Sequence, residues 1–167
     1  MPDTSTEVAI ATTTLGSAAA NITFSGISSA YTDLRIVLTA AGSASEQVYM
    51  QFNGDTGTNY SQTYLQGNGG TAESLRQTSV AYIFAGRMAD SVYGSSMRGL
   101  TTINIFSYAG STNKTTLSEG NNDTNGQGLV SRHVGLWRST SAITSVKLYP
   151  STGNFTTGTT ATLYGIL

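Results

Sequence analysis

Apolar and polar residues alternate along most of this chain, which is the pattern of strands with one buried face. In one clear case, Leu34, Ile36, Leu38 and Ala40 fall on the same face. The same period of two recurs at 7–10, 22–24, 47–53, 80–84, 102–105, 145–148 and 161–166. Between residues 129 and 138 both faces carry apolar groups, which is typical of a central strand. The pattern predicts an all-β protein.

Clusters of Gly, Asn and Ser separate these segments and supply residues that tolerate tight turns. They lie at 41–45, 53–59, 67–70, 121–128 and 151–158. About 8–10 short strands with such punctuation predict an antiparallel β-sandwich or a barrel. A short helix is allowed at Thr71 to Gln77, where Thr71 can act as the N-cap. We expect a single domain, in which residues 1–20 form an N-terminal arm and first strand and residues 21–167 form the β-sandwich domain.

The composition is unusually poor in charge. Charged residues make up 10% of the chain, whereas an ordinary domain carries roughly 25%. The 27 threonines and 21 serines instead favour strands whose outer faces are covered by hydroxyl groups. With a net charge of −1, the chain also lacks the high charge that usually accompanies disorder. Such surfaces favour the close packing of many copies, since unpaired charges are costly to bury.

Several classes of function are disfavoured by the residues available. There is no cysteine, which excludes a disulfide, a zinc–thiolate site and a thiol nucleophile. The eight basic residues are scattered from Arg35 to Lys147, so we expect no nucleic-acid partner. The first residues lack a signal-peptide pattern, and no apolar run reaches the length of a membrane span. We therefore expect no membrane partner, no secretion by the usual route and no cofactor.

One candidate catalytic motif is a serine–histidine pair. Ser131 and His133 are two residues apart on a predicted strand, so they share a face and can pair. No acidic residue follows nearby to orient the ring and no nucleophile elbow is present. We therefore favour a structural polar histidine over a catalytic one.

A second motif resembles the first half of a calcium loop. Asn121, Asp123 and Asn125 precede Gly126, but Arg132 stands where a calcium loop requires a bidentate glutamate. A weaker oxygen cluster is formed by Asn53, Asp55 and Asn59. Turns rich in Asn and Asp give the same pattern without an ion. We expect no metal, and keep Asn121, Asp123 and Asn125 as the weak calcium candidates.

Acid pairs and aromatic contacts remain as further alternatives. A glycosidase needs two carboxylates across a cleft, and Asp55, Glu119 and Asp123 lie in or near predicted loops. Loop aromatics on a β scaffold can instead stack on sugar rings or on a neighbouring subunit. We predict Trp137 to be a core residue. The predicted contact residues are the loop tyrosines and the apolar residues of the segment MADSVYGSSMR, namely Tyr60, Tyr64, Met88, Val92, Tyr93 and Met97.

Four segments, taken in order, resemble small virion-associated proteins of tailed bacteriophages. They are ISSAYTDLRI (27–36), QFNGDTGTNY (51–60), GLWRSTSAITSVKL (135–148) and NFTTGTTATLYGI (154–166). The resemblance covers most of the chain from about Asn21. It implies a jelly-roll-like antiparallel β-sandwich that is part of a virion, made in the host cytoplasm and present in several copies. It carries no catalytic residues, so we expect no enzyme.

Two particle roles follow from this resemblance. The first is a capsid decoration or cement subunit, packed on or between shell subunits, which a single short β domain favours. The alternative is a tail-fibre or baseplate module that binds host-surface glycan or another tail protein. In either role the expected partners are the major capsid protein or a tail protein. We also expect a homo-oligomer, with a trimer or a dimer favoured by symmetry.

Overall fold

The computed structural model describes residues 6–44, 47–90, 97–124 and 126–167, and these residues form strands and turns without a helix. The described strands are β1 (Glu7–Thr14), β2 (Ile22–Ser25), β3 (Asp33–Gly42), β4 (Gln47–Phe52), β5 (Tyr60–Gly67), β6 (Ala72–Val80), β7 (Ile83–Arg87), β8 (Ala89–Asp90), β9 (Gly99–Phe106), β10 (Lys114–Asn122), β11 (Leu129–Trp137), β12 (Ser145–Pro150) and β13 (Thr160–Ile166). The all-β class is therefore confirmed. The described residues already contain more strands than the 8–10 that we predicted.

The strands form two packed sheets, which confirms the sandwich rather than the barrel. The larger sheet has the order β1-β13-β3-β9-β10-β11-β5-β6, with β8 pairing with β3 at one end. The smaller sheet has the order β2-β12-β4-β7. Pairing is antiparallel throughout except for the short β3–β8 contact, and the chain crosses repeatedly between the sheets.

The apolar core lies where the middle of the larger sheet faces the smaller sheet. The inward residues predicted from the alternating pattern of β3 and β4 are fully buried there, as are those of β9 and β12. They are Leu34, Ile36, Leu38, Val48, Met50, Phe52, Ile103, Ile105, Val146 and Leu148. Trp137 is also in this core, as predicted.

The predicted helix at residues 71–77 is wrong, since this segment belongs to strand β6. A tight turn at Gly69 and Gly70 folds β6 back on β5, and Gly69 has a positive φ of 83°. The Asn68 carboxamide oxygen accepts hydrogen bonds from the Gly70 and Thr71 backbone N–H groups. These bonds hold the turn and leave Thr71 at a hairpin rather than at a helix N-cap.

The predicted N-terminal arm is part of the sandwich as far as the structure describes it. β1 pairs with β13 along its length and forms one edge of the larger sheet. Residues 1–5 lie outside the described part of the chain. Among the described residues, no helix has the length and apolar character needed to span a membrane.

Candidate functional site

The outer face of the larger sheet carries a row of exposed apolar side chains. On β11 the outward positions include Val130 and Val134, which are 65% and 49% exposed. On the neighbouring strand β5, Leu65 is 60% exposed. Large apolar side chains are rarely grouped in this way on a surface that contacts only water. This face is therefore our candidate functional site.

Strand register joins these side chains into one strip. Val134 lies opposite Leu117 of β10, and Leu65 lies opposite Arg132, between the outward positions of Val130 and Val134. Leu136 is the next outward residue of β11. We name this set the apolar strip. It consists of Leu65, Leu117, Val130, Val134 and Leu136.

Two shallow grooves run along this strip. One groove of about 300 Å³ is lined by residues from β10, β11, β5 and β6, from Thr115 on one side to Arg76 on the other. A second groove of about 340 Å³ continues along the same face past Leu65 and Val130 to Asn121. The two grooves adjoin the apolar strip, and together we name them the trough.

Two of the charged residues on this face pair with each other. Arg132 and Glu119, directly opposite each other on β11 and β10, form an ion pair at 2.9 Å, and both side chains are more than half exposed. An exposed pair of this kind adds little to stability. Arg76 lines the first groove as a further positive charge, so the trough is mainly apolar but not neutral.

The predicted contact residues lie elsewhere. Tyr60, Tyr64 and Met88 are buried, so the prediction that they form an exposed contact surface is wrong. Tyr60 and Tyr64 point inward because they lie on the inner face of β5. The alternating pattern did not identify this segment as a strand. Met97 is half-buried. Val92 and Tyr93 lie outside the described residues.

Buried Tyr60 contributes to stability instead. Its hydroxyl donates to the Asp55 carbonyl oxygen at 3.0 Å and accepts a hydrogen bond from the Phe52 N–H at 3.1 Å. Burial raises the pKa of Tyr60 to about 12. Tyr64 is tied to the neighbouring strand in a similar way, since its hydroxyl donates to a Glu73 carboxylate oxygen at 3.2 Å.

The weaker oxygen cluster is a hydrogen-bonded turn. The Asp55 carboxylate accepts hydrogen bonds from the Gly57 N–H, from the Asn59 amide and, at 2.7 Å, from the Trp137 indole. Although partial burial alone would raise the pKa of Asp55, these donors lower it. The Asn53 carboxamide oxygen accepts hydrogen bonds from the backbone N–H groups of Thr144 and Ser145. The carboxylate oxygens thus already have donors, so the geometry is that of a loop clamp.

The calcium candidates are also accounted for by local structure. Asn121 belongs to strand β10, on its outer face. An Asp123 carboxylate oxygen accepts the Gly126 N–H at 2.9 Å, so this side chain holds its own loop. Asn125 lies outside the described residues. Among the described residues, no group of three or more His, Asp or Glu side chains is arranged to hold a metal ion.

His133 and Ser131 do meet, as their spacing predicted. The His133 Nε2 and Ser131 Oγ atoms are 2.9 Å apart on the inner face of β11. Because the Ser131 hydroxyl donates to the Gly120 carbonyl oxygen, the imidazole N–H is the donor to Ser131. Burial, together with the nearby Arg87 charge, lowers the pKa of His133 to about 3. A pKa this low makes His133 too weak a base to accept the proton of a serine nucleophile.

Sequence reasoning missed a second surface feature, on the outer face of the smaller sheet. Tyr49 of β4 stacks on Tyr82 with ring centroids 3.9 Å apart, and meets Tyr149 of β12 edge to face. The Lys147 ammonium lies 5.1 Å from the Tyr149 ring centre. Burial and the Tyr82 hydroxyl raise the pKa of Tyr49 above its usual range. We name Tyr49, Tyr82 and Tyr149 the tyrosine cluster.

The apolar strip was partly visible in the sequence. The apolar residues on both faces of 129–138 were a signal, and β11 is indeed a central strand of the larger sheet. The signal was interpreted as burial on both sides, whereas the smaller sheet covers only one side. The tyrosine cluster had no such signal, because Tyr49 and Tyr149 become neighbours only through the β4–β12 register.

Comparisons with known proteins give no family for this chain. No family model matches it, and no curated protein matches it. Among solved structures, it is similar to the galectin LEC-6 of Caenorhabditis elegans, with 13% sequence identity and a TM-score of 0.34. That match covers 93% of this chain and 95% of the galectin. A likeness this weak carries no argument about function.

Proposed function

We propose that this chain is a structural subunit of a tailed-bacteriophage particle, and specifically a decoration or cement subunit of the capsid. The observation that carries the proposal is the apolar strip along the trough. We propose that the strip packs against another virion protein, the major capsid protein. The sequence resemblance to virion-associated proteins supports the same assignment.

The chemistry of the trough favours a protein partner with a mainly apolar surface. Removing the strip from water stabilises a complex by about 25 cal/mol for each Å² of apolar area that is buried. The paired Arg132 and Glu119 neutralise each other, which leaves Arg76 as the other charged residue along the trough. Thr63 and Thr115 line the same trough and can exchange hydrogen bonds with a neighbouring backbone.

The mechanism of such a subunit is mechanical. A subunit that packs across a seam between two shell proteins must be peeled away before the seam opens. The apolar area that it buries therefore adds to the free energy needed to break the shell. Repeated over many copies, even a modest contribution at each site raises the temperature at which the particle bursts.

Val134→Glu tests the docking surface directly. It places an unpaired charge in the middle of the apolar strip, and burying such a charge costs several kcal/mol. We expect purified particles to lose most of the variant subunit and to burst at a lower temperature. Occupancy is measured by quantitative mass spectrometry, and bursting by dye access to the DNA during heating.

Thr23→Glu is the matched control, since Thr23 is an exposed residue on the outer face of the smaller sheet. It adds the same charge away from the strip and should leave occupancy and bursting unchanged. Full occupancy of the Val134→Glu variant would contradict the proposal, as would the absence of the wild-type chain from purified particles. Immunogold label on the tail instead of the head would overturn the capsid assignment.

A tail module that binds host-surface glycan is the second candidate, and the tyrosine cluster is the observation that favours it. Half-buried tyrosines present a flat ring and a hydroxyl, a combination suited to stacking on sugars. Here Tyr82→Ala should abolish binding on a glycan array, while Val134→Glu should retain it. No binding by the wild-type chain to any glycan on the array would remove this candidate.

A further inference from the structure

Strand β6 forms an unusual edge of the larger sheet. It is nine residues long, and nearly all of its residues are exposed, whereas the inner face of its neighbour β5 is buried. Within the described part of the chain, β6 pairs with β5 alone. A long exposed edge of this kind is a template for pairing with another strand.

The other sheet edges are shorter, irregular or buried. β1 carries a β-bulge between Ala9 and Ala11, β2 has four residues, and all five residues of β7 are buried. These are the usual ways in which proteins protect an edge. β6 has no Pro or Lys, its charged residues are Glu73 and Arg76, and its pairing with β5 is irregular only at the far end, beside Tyr60.

The hairpin geometry identifies the backbone groups that point outward from this edge. The Asn68 N–H donates to the Thr71 carbonyl oxygen, so this pair is hydrogen-bonded. Hydrogen-bonded and non-hydrogen-bonded pairs alternate along an antiparallel ladder. The backbone groups of Glu73, Leu75 and Gln77 therefore face β5. Those of Ala72, Ser74, Arg76 and Thr78 face away from it.

We propose that β6 pairs with β6 of a second copy of this chain, antiparallel and about a two-fold axis at Leu75. This register places Ser74 opposite Arg76 of the partner, and Ala72 opposite Thr78 of the partner. All four are residues whose backbone groups face outward, so each such pair can exchange two backbone hydrogen bonds. The two copies of Leu75 then form the central non-hydrogen-bonded pair.

Side-chain chemistry favours this register over the alternative that would pair the greatest number of β6 residues. Centring the axis on Arg76 would align the whole of β6, but it would set Arg76 directly against its own copy, which is destabilising. Centring it on Leu75 sets Arg76 against Ser74 and Glu73 against Gln77. It also covers Leu75, which is 41% exposed in the single chain.

The consequence is a dimer with one continuous sheet and two troughs on the same side. A two-fold interface of this kind uses the same surface on both copies and closes on itself. It specifies a dimer and not a trimer. The pairing involves only β6, so it is independent of the capsid role and is tested with purified protein.

Cysteine cross-linking reads out the register, because the natural chain has no cysteine. In the proposed dimer the two Leu75 Cα atoms lie about 4.5 Å apart, within reach of a disulfide. We expect Leu75→Cys to form a covalent dimer rapidly under mild oxidation. Ser74→Cys is the matched control, because its two Cα atoms lie roughly 9 Å apart, too far for a disulfide. Equal cross-linking of both variants, or none of Leu75→Cys, would overturn the proposal.

Sedimentation velocity supplies the second readout. The wild-type chain should sediment with an apparent mass twice the 17.4 kDa of one chain. Ser74→Pro removes an outward N–H and should give a folded monomer, whereas Ser74→Ala keeps that N–H and should remain a dimer. A wild-type monomer at all concentrations would contradict the proposal, as would a Ser74→Pro dimer. Circular dichroism verifies folding, and the cross-linking result holds even where Ser74→Pro fails to fold.

Discussion

At the residue scale, His133 is the most consequential buried group. Its ring packs against Phe84 of β7 and Tyr64 of β5, and only 1% of the residue is exposed. The Arg87 guanidinium is the charge nearby, and among the described residues the Nδ1 atom has no hydrogen-bond partner. A proton on the ring would add a second positive charge between the two sheets. The folded state therefore favours the neutral imidazole.

This environment predicts a stability that depends on pH. The unfolded His133 has a pKa near 6.5 and the folded one near 3, so stability is complete above pH 6.5 and falls as the pH drops towards 3. Between about pH 7.5 and pH 5 we expect a loss of about 2 kcal/mol in the free energy of unfolding. Urea titrations at each pH measure it. As His133 is the single histidine, His133→Gln should flatten the curve in this window. An unchanged slope in that variant would refute the assignment.

At the element scale, β7 packs directly on the backbones of β10 and β11. A Cβ atom at Gly135 would approach the Ile83 Cγ2 and Thr116 Oγ1 atoms to 2.6 Å. A Cβ atom at Gly120 would contact the Arg87 backbone nitrogen and lie 3.0 Å from the Gly86 Cα. Because the atoms above Gly120 are backbone, they cannot move aside as a side chain can. These two glycines set the close spacing of the sheets.

We therefore predict that Gly120→Ala destabilises the fold by about 1–3 kcal/mol, the usual cost of overpacking. Gly16→Ala is the control, since no heavy atom lies within 4 Å of its new Cβ and its φ is not positive. That change should alter stability by less than about 0.5 kcal/mol. Thermal unfolding compares the two variants. Equal thermal midpoints for the two variants would show that the packing of β7 does not require a glycine at position 120.

Strands differ in how well their sequences predict them, and the reason is the chemistry of their inner faces. β3 and β4 face the apolar core, so Leu34 or Met50 marks the inward side. β5 and β10 instead face a polar region beneath β7, where the inward residues include Gln62 and Ser118. Without apolar alternation these strands were missed, and Tyr60 and Tyr64 were placed in loops. Their burial depends on long-range pairing with β11, which no local pattern encodes.

At the scale of the whole molecule, low charge and many hydroxyl groups give a surface that offers little electrostatic attraction to a partner. Two ion pairs, Arg35–Glu7 and Arg132–Glu119, occur among the described residues, and one of them lies in the trough. The composition predicted this neutrality. It could not predict the location of the apolar strip, because that location depends on which face the smaller sheet covers.

The mainly apolar character of the trough also predicts how docking responds to salt. If the apolar strip carries the interaction, raising NaCl from about 0.05 M to about 0.5 M should change the affinity less than about twofold, because screening weakens only charge-driven contacts. The measurement is rebinding of the purified chain to particles stripped of it. Arg132→Ala removes the exposed ion pair and should have a similarly small effect, since such pairs contribute little. A steep loss of affinity with salt would instead mean that charged residues, and not Val130 and Val134, dominate docking. The apolar character of the trough would then be incidental to binding.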